Sequence, residues 1–210
     1  CKGKTVGCSD VEVPELNETI LNRRLEHISN NNGKIIFGTA AGIDDKRKGQ
    51  KYVLRAIKEL KDKGIENIEY QLIGAGDPSV LLSEAERLGI QSQLKVLGMK
   101  PHSEVYDWLD NVDIYVQPSY SEGLCRAVVE AMSRACPVIT SNCAGNLELC
   151  EDGYSFTAGN TAEIEACLMK VLSKDVCFDL AKRSFSKAKK YEKDVLDKKR
   201  NDFLKEFIKH

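Results

Sequence analysis

A chain of 210 residues, 42% hydrophobic and 30% charged, carries enough apolar material for one substantial core beneath a solvated surface. Its formal net charge of −1 provides no global field for a polyanion, so no nucleic-acid partner is expected. No stretch approaches the roughly 18–20 apolar residues of a membrane span, and residues 1–10 are too polar for the apolar part of a signal peptide. The eight cysteines form no C-x-x-C pair, and His27, His102 and His210 are too few to complete a zinc site, which predicts reduced, packed thiols in a cytoplasmic protein. The chain begins at Cys1 rather than Met and is expected to be a piece of a longer protein.

Apolar residues at 16, 20, 21, 25 and 28 form one helical stripe, which Asn30-Asn31-Asn32-Gly33 stops. Residues 1–33 therefore read as a lead-in linker and short helix. Strands are then predicted over 34–37, 68–73, 94–97, 114–116 and 137–140, with a short sixth over 154–156. Helices are predicted over 50–63, 79–88, 103–111 (Ser103 as N-cap), from 124 onward, and over 161–172, 175–190 and 192–209. Strict β-α alternation with short apolar strands predicts a Rossmann-like α/β fold: a parallel sheet in a three-layer α/β/α arrangement with a helical C-terminal end. The domain is expected over 34–190, and residues 191–210 as a C-terminal helix. The lysine-rich stretch 182–209 reads as a solvated helix face, with a membrane-surface or partner-docking face as the alternative.

The most informative stretch is 118–138, P-S-Y-S-E-G-L-C-R-A-V-V-E-A-M-S-R-A-C-P-V. It reads as a loop followed by a helix whose N-terminus opens at the carboxyl end of a strand. There, free N–H groups and the helix dipole favour an anion. Glu122 lies on the loop and Glu130 inside the helix. Glu130 has apolar neighbours and needs a partner. Either it pairs with Arg126 or Arg134 at i±4, or it accepts vicinal hydroxyls such as those of a ribose. Eight residues are about two helical turns, so the two carboxylates are not a close acid/base dyad by helix geometry alone. Three further loops should converge on the same sheet edge, those at Gly38-Thr39, at Gly74 and at Gly98-Met99. Lys48, before Gly49 and the start of a helix, could place an ammonium on a phosphate.

E-G-L-C-R-A-V-V-E resembles the E-x7-E signature of retaining glycosyltransferases of the GT-B type, family 4. F-G-T-A-A-G-I-D-D-K-R-K-G-Q-K-Y-V-L-R-A-I, L-I-G-A-G-D, V-L-G-M-K, V-D-I-Y-V-Q-P-S-Y-S-E-G, A-C-P-V-I-T-S-N-C-A-G-N-L-E-L and E-D-G-Y-S-F are similar to that family's segments in their order, over roughly residues 34–190. The resemblance implies the C-terminal, donor-binding half of a GT-B fold, with the acceptor-binding N-terminal domain outside this chain. It implies a UDP- or GDP-sugar as donor substrate, no required metal or other cofactor, and a glycan or lipid-linked acceptor in polysaccharide biosynthesis. A peripheral contact with the cytoplasmic face of a membrane would follow from such acceptors. By position, Lys48 should bind the diphosphate and act catalytically with Glu122. Glu130 should hold the ribose. Glu122 and the amides of Gly123, Leu124 and Cys125 should hold the sugar and phosphates, and Gly98 and Met99 should lie by the base. Gly38, Thr39 and Gly74 complete the expected donor site. Thr39 departs from the family, which carries Arg there as a second phosphate ligand; Arg47 is the candidate substitute. The alternatives are a stand-alone nucleotide-sugar-binding or interaction module without transfer activity, and another GT-B enzyme such as a sugar epimerase.

Overall fold

β-Branched and aromatic runs place six strands in one sheet: β1 (Ile35–Ala40), β2 (Ile68–Ile73), β3 (Leu94–Gly98), β4 (Ile114–Gln117), β5 (Val138–Ser141) and β6 (Ser155–Phe156). The structure, a computed structural model, describes residues 9–151 and 153–208. Residues 1–8 of the expected lead-in, with Cys1 and Cys8, and residues 209–210 of the expected C-terminal helix lie outside these. The strand order is β3-β2-β1-β4-β5-β6, and every neighbouring pair runs parallel. All four residues of β4 and all four of β5 are buried, as a parallel sheet covered on both faces requires. The order reverses between β1 and β4, so the crevice outside their carboxyl ends is where an open sheet of this kind receives a ligand.

Nine helices are described: α1 (Glu18–Asn30), α2 (Gln50–Asp62), α3 (Ser79–Arg87), α4 (His102–Asn111), α5 (Arg126–Ser133), α6 (Ala144–Leu147), α7 (Thr161–Lys170), α8 (Lys174–Ala188) and α9 (Lys193–Ile208). Val53, Leu54, Ile57 and Leu60 of α2 share one core cluster with Ile164 of α7 and Leu180 of α8. Trp108 and Leu109 of α4 and Val128 and Met132 of α5 belong to the other. Each such fully buried side chain contributes about 1.5–3 kcal/mol relative to exposure. Each cluster also takes in strand residues, Phe37, Tyr70 and Val116 in the first and Ile73, Tyr115 and Val138 in the second, so helices cover both faces of the sheet in the predicted three-layer fold.

Several boundaries differ from expectation for physical reasons. β1 runs on to Ala40 rather than ending at residue 37, because Gly38 and Thr39 pair with Gln71 and Leu72 of β2. α4 starts at His102 with Pro101 before it, so Ser103 lies in the first turn and is not the cap. α5 starts at Arg126, which leaves Leu124 and Cys125 in the loop. The short α6 has no predicted counterpart, since four residues are too few for a periodic signal.

The lead-in helix is fastened to the domain. α1 packs along α8, with its Asn17 side chain capping the first turn. Val11 and Val13 are buried in the second cluster, and Val13 bridges to Glu192 in parallel register. Arg24 of α1 is buried and donates to the carbonyls of Leu109, Val112 and Arg134. Asp113 gathers His27 at 2.7 Å, the Asn31 amide at 2.8 Å and the Ile36 N–H at 2.7 Å, tying α1 to the amino ends of β1 and β4.

α2 and α3 are joined by charge. Glu84 accepts from Arg87 and from Arg55 of α2 at 2.8–2.9 Å, and the Arg87 and Arg55 guanidiniums hold its carboxyl down at about 2. A depressed folded-state value means stability that is full above the unfolded value of about 4.3 and lost as pH falls toward 2. The pair is solvent-screened, so Glu84→Gln is expected to cost roughly 1 kcal/mol at pH 7. Urea unfolding across pH should show that difference shrinking between pH 4.5 and 2.

Candidate functional site

The β1–β4 crevice is built from two loops. After β1 the chain makes a single 3-10 turn, Lys46–Lys48, which Asp45 caps by accepting from the Arg47 N–H. Gly49 follows at φ 73°, a left-handed conformation. A Cβ there would sit 2.2 Å from the Pro118 carbonyl oxygen, so only glycine lets this turn lie against the loop after β4. The Tyr120 N–H donates to the Arg47 carbonyl at 2.8 Å and closes the second tie between the loops.

The contact these ties create joins residues 74 positions apart: Lys48 Nζ lies 2.8 Å from Glu122 Oε1. Both side chains are mostly buried. Gln117 Nε2 donates to the same carboxylate oxygen at 3.2 Å and to Ser119 Oγ at 2.8 Å. The Tyr115 hydroxyl donates to Gln117 Oε1 at 2.8 Å and accepts from the Ala40 N–H at 3.1 Å. Burial pushes that hydroxyl well above its ordinary value, so it stays protonated. Ser141 Oγ donates to the Ser119 carbonyl, and Asn146 Nδ2 donates to Ser141 Oγ at 3.2 Å. Asn146 Oδ1 is the one buried side-chain polar atom without a partner among the described residues.

The Glu122–Gly123 segment is also approached closely by α6. A Cβ on Gly145 would lie 1.6 Å from the Gly123 carbonyl oxygen, so α6 seats against this loop only because residue 145 has no side chain. The amides of Gly123, Leu124 and Cys125 make no hydrogen bond to another described residue. They lead into the N-terminus of α5, where no side chain caps the first turn. Unmet N–H groups and the helix dipole there favour an anion. Burial, with the Glu122 charge adding to it, pushes the Cys125 thiol up to about 12, so it stands here as a neutral packing group.

Glu130 is 7% exposed and makes neither of the expected i±4 ion pairs. Arg134 is held by Asp110, with Nε 2.7 Å from Oδ1. Glu130 Oε1 instead meets His102 Nε2 at 3.1 Å, brought by the first turn of α4. Glu122 and Glu130 thus have separate partners, Lys48 with Gln117 and His102.

Besides Glu130, the expected residues divide into three groups. Lys48, Glu122, Gly123, Leu124 and Cys125 come together across the crevice. Gly74, after β2, lies against the Ala41 carbonyl, and Gly98 ends β3 with Met99 beyond it, 78% exposed. Gly38 and Thr39 are corrections: neither lies on a loop. A Cβ on Gly38 would be 2.8 Å from Trp108 and Val112 side-chain atoms, so its small size serves packing under α4. Thr39 is fully buried, its hydroxyl engaged with the Val116 carbonyl and, at 2.8 Å, with the Tyr70 hydroxyl. Arg47 is at the mouth of the crevice, exposed and paired with Asp45 at 2.9–3.0 Å.

Sequence reasoning missed Gln117, Tyr115, His102, Gly145 and Asn146. The available signal was a glutamine ending an apolar strand, I-Y-V-Q, since a polar residue in a buried strand needs partners.

The family profile described as Glycosyl transferases group 1 matches residues 24–191. Protein CapJ of Staphylococcus aureus is 28% identical over 204 residues, 96% of this chain and 46% of CapJ. The amylovoran biosynthesis glycosyltransferase AmsK of Erwinia amylovora is 32% identical over 135 residues, 60% of this chain and 33% of AmsK. The chain therefore spans less than half the length of either relative. The crystal structure of Anabaena Alr3699/HepE in complex with UDP and glucose shares the fold with a TM-score of 0.73 at 18% identity, over 90% of this chain and 52% of that one. Sucrose-phosphate synthase from Thermosynechococcus elongatus does so with a TM-score of 0.74 at 16% identity, over 94% and 50%.

Proposed function

The chain belongs to the glycosyl transferases group 1 family, and from that premise we propose that it is the nucleotide-sugar-binding, C-terminal half of a retaining family 4 glycosyltransferase. The observation that carries this reading is the Lys48–Glu122 contact at the strand-order reversal, beside the uncapped N-terminus of α5. An ammonium, free loop amides and a helix dipole together suit a diphosphate, the leaving group of a nucleotide sugar. The whole protein transfers a hexosyl group from a UDP- or GDP-sugar to a glycan or lipid-linked acceptor in polysaccharide or glycoconjugate biosynthesis. A domain N-terminal to this one supplies the acceptor site, and this chain alone transfers sugar negligibly. The protein works in the cytoplasm, peripherally at the membrane face where such acceptors lie. Among the described residues no helix is long and apolar enough to cross a membrane.

In this reading Lys48 carries the charge that builds on the departing diphosphate, Glu122 holds the sugar, and the amides of residues 123–125 hold phosphate oxygens. Glu130 accepts the ribose hydroxyls, with His102 Nε2 beside it. UDP-bound and UDP-glucose-bound complexes of Alr3699/HepE are consistent with a UDP-sugar.

Calorimetric titration with UDP and GDP tests the proposal. The wild-type chain should bind one of them weakly. Glu130→Ala should weaken that binding about tenfold, the effect of a charge-assisted hydrogen bond of about 1.5 kcal/mol. Absence of binding at millimolar ligand, or affinity unchanged by the substitution, would sink the assignment.

A further inference from the structure

Gln117 closes β4 at 1% exposure with its whole amide in use: two N–H groups serve two acceptors, and its carbonyl oxygen serves one donor. Its orientation is set from below. The Tyr115 hydroxyl has a single proton and already accepts from the Ala40 N–H. That proton goes to Gln117 Oε1 at 2.8 Å rather than to the Ala40 carbonyl at 3.4 Å. The Gln117 oxygen therefore faces Tyr115, and its NH2 group faces Glu122.

Glu122 Oε1 is shared by two donors, Lys48 and Gln117. They differ in freedom. Lys48 is a flexible ammonium at the crevice, and an anion entering there competes for it. Gln117 is fixed by strand, serine and tyrosine. When Lys48 turns to an anion, the Gln117 amide is the donor that stays on the carboxylate, in a low-dielectric setting where an undirected charge is costly.

We infer that Gln117 is a positioning residue for Glu122: it keeps the carboxylate aimed into the crevice once Lys48 has moved to a phosphate group of the ligand. This rests on the donor-site reading above. It predicts an effect of Gln117 that exists only through Glu122. Such dependence is read by a double-mutant cycle.

The test uses the full chain as wild type, Gln117→Met, Glu122→Ala and the double variant, titrated calorimetrically with UDP-glucose. Gln117→Met should weaken UDP-glucose binding about tenfold when Glu122 is present and less than twofold when residue 122 is alanine. Equal weakening in both backgrounds, or none in the first, overturns the inference. Tyr115→Phe, which keeps the ring and removes the orienting hydroxyl, should shift affinity the same way by about threefold and covers the case in which Gln117→Met fails to fold. Should wild type bind neither UDP nor UDP-glucose, the donor reading falls. The melting temperatures of the same four proteins then decide the Gln117–Glu122 coupling: non-additive losses support it and additive losses overturn it.

Discussion

Lys48→Ala is expected to weaken nucleoside diphosphate binding by about 10- to 150-fold, the range of one lost hydrogen bond to a charged group, about 1.5–3 kcal/mol. The upper part of the range is expected because two effects add. The ammonium that would meet the diphosphate is gone, and Glu122 loses the cation 2.8 Å away. Its carboxylate is left beside the incoming phosphates, where like charges repel. Glu122→Gln in the Lys48→Ala background removes that repulsion and should recover part of the loss. Glu122→Gln alone frees Lys48 from its partner and should change UDP affinity by less than about threefold, since desolvation and Coulomb terms oppose one another in such a pair. UDP affinity of Lys48→Ala within threefold of wild type would remove Lys48 from the donor site.

Arg24→Met is expected to lower the melting temperature by roughly 5–15 °C. Methionine fills much of the volume, but it leaves the Leu109 and Val112 carbonyls without the guanidinium that reaches them at 2.7 and 2.6 Å. These carbonyls lie at the end of α4, where helical donors run out: the Leu109 carbonyl receives only the shared Val112 N–H, at 3.2 Å. Leaving them buried and underserved costs about 2–4 kcal/mol, at roughly 2–4 °C per kcal/mol for a chain of this size. Arg24→Lys should recover part of the loss, because one ammonium can reach one carbonyl but not the separated set a guanidinium fork spans. A thermal melt of Arg24→Met within 2 °C of wild type would show that α1 is only loosely joined to the domain.

The two expectations differ in how far the sequence alone could reach them. Lys48 and Glu122 could be nominated as candidates because each sits in a short local pattern: Lys-Gly before a helix, Glu-Gly after a strand. Their mutual contact could not be, since it depends on Gly49 passing under Pro118 and on the Tyr120–Arg47 tie. Arg24 falls off the apolar stripe at 16, 20, 21, 25 and 28, so the pattern does not mark it. Its burial follows from α1 lying along α8, a contact that spacing within 16–28 does not encode. Gly38 and Thr39 were misplaced because a small residue at a strand end reads the same whether it opens a loop or admits a tryptophan. Glu130 was read against its own helix, where i±4 neighbours are visible; His102 is 28 residues away.

By itself the sequence determined the alternation of six strands with helices, the parallel sheet, and the stretch that carries Glu122 and Glu130. Period and punctuation are local properties, and they survive without coordinates. The tertiary structure alone decided the strand order, and with it which loops face one crevice. It also decided which donors meet which carboxylates: Lys48 and Gln117 on Glu122, His102 on Glu130. Those pairings depend on distances between segments far apart in the chain, set by how the two helical layers close over the sheet rather than by any residue's neighbours in sequence.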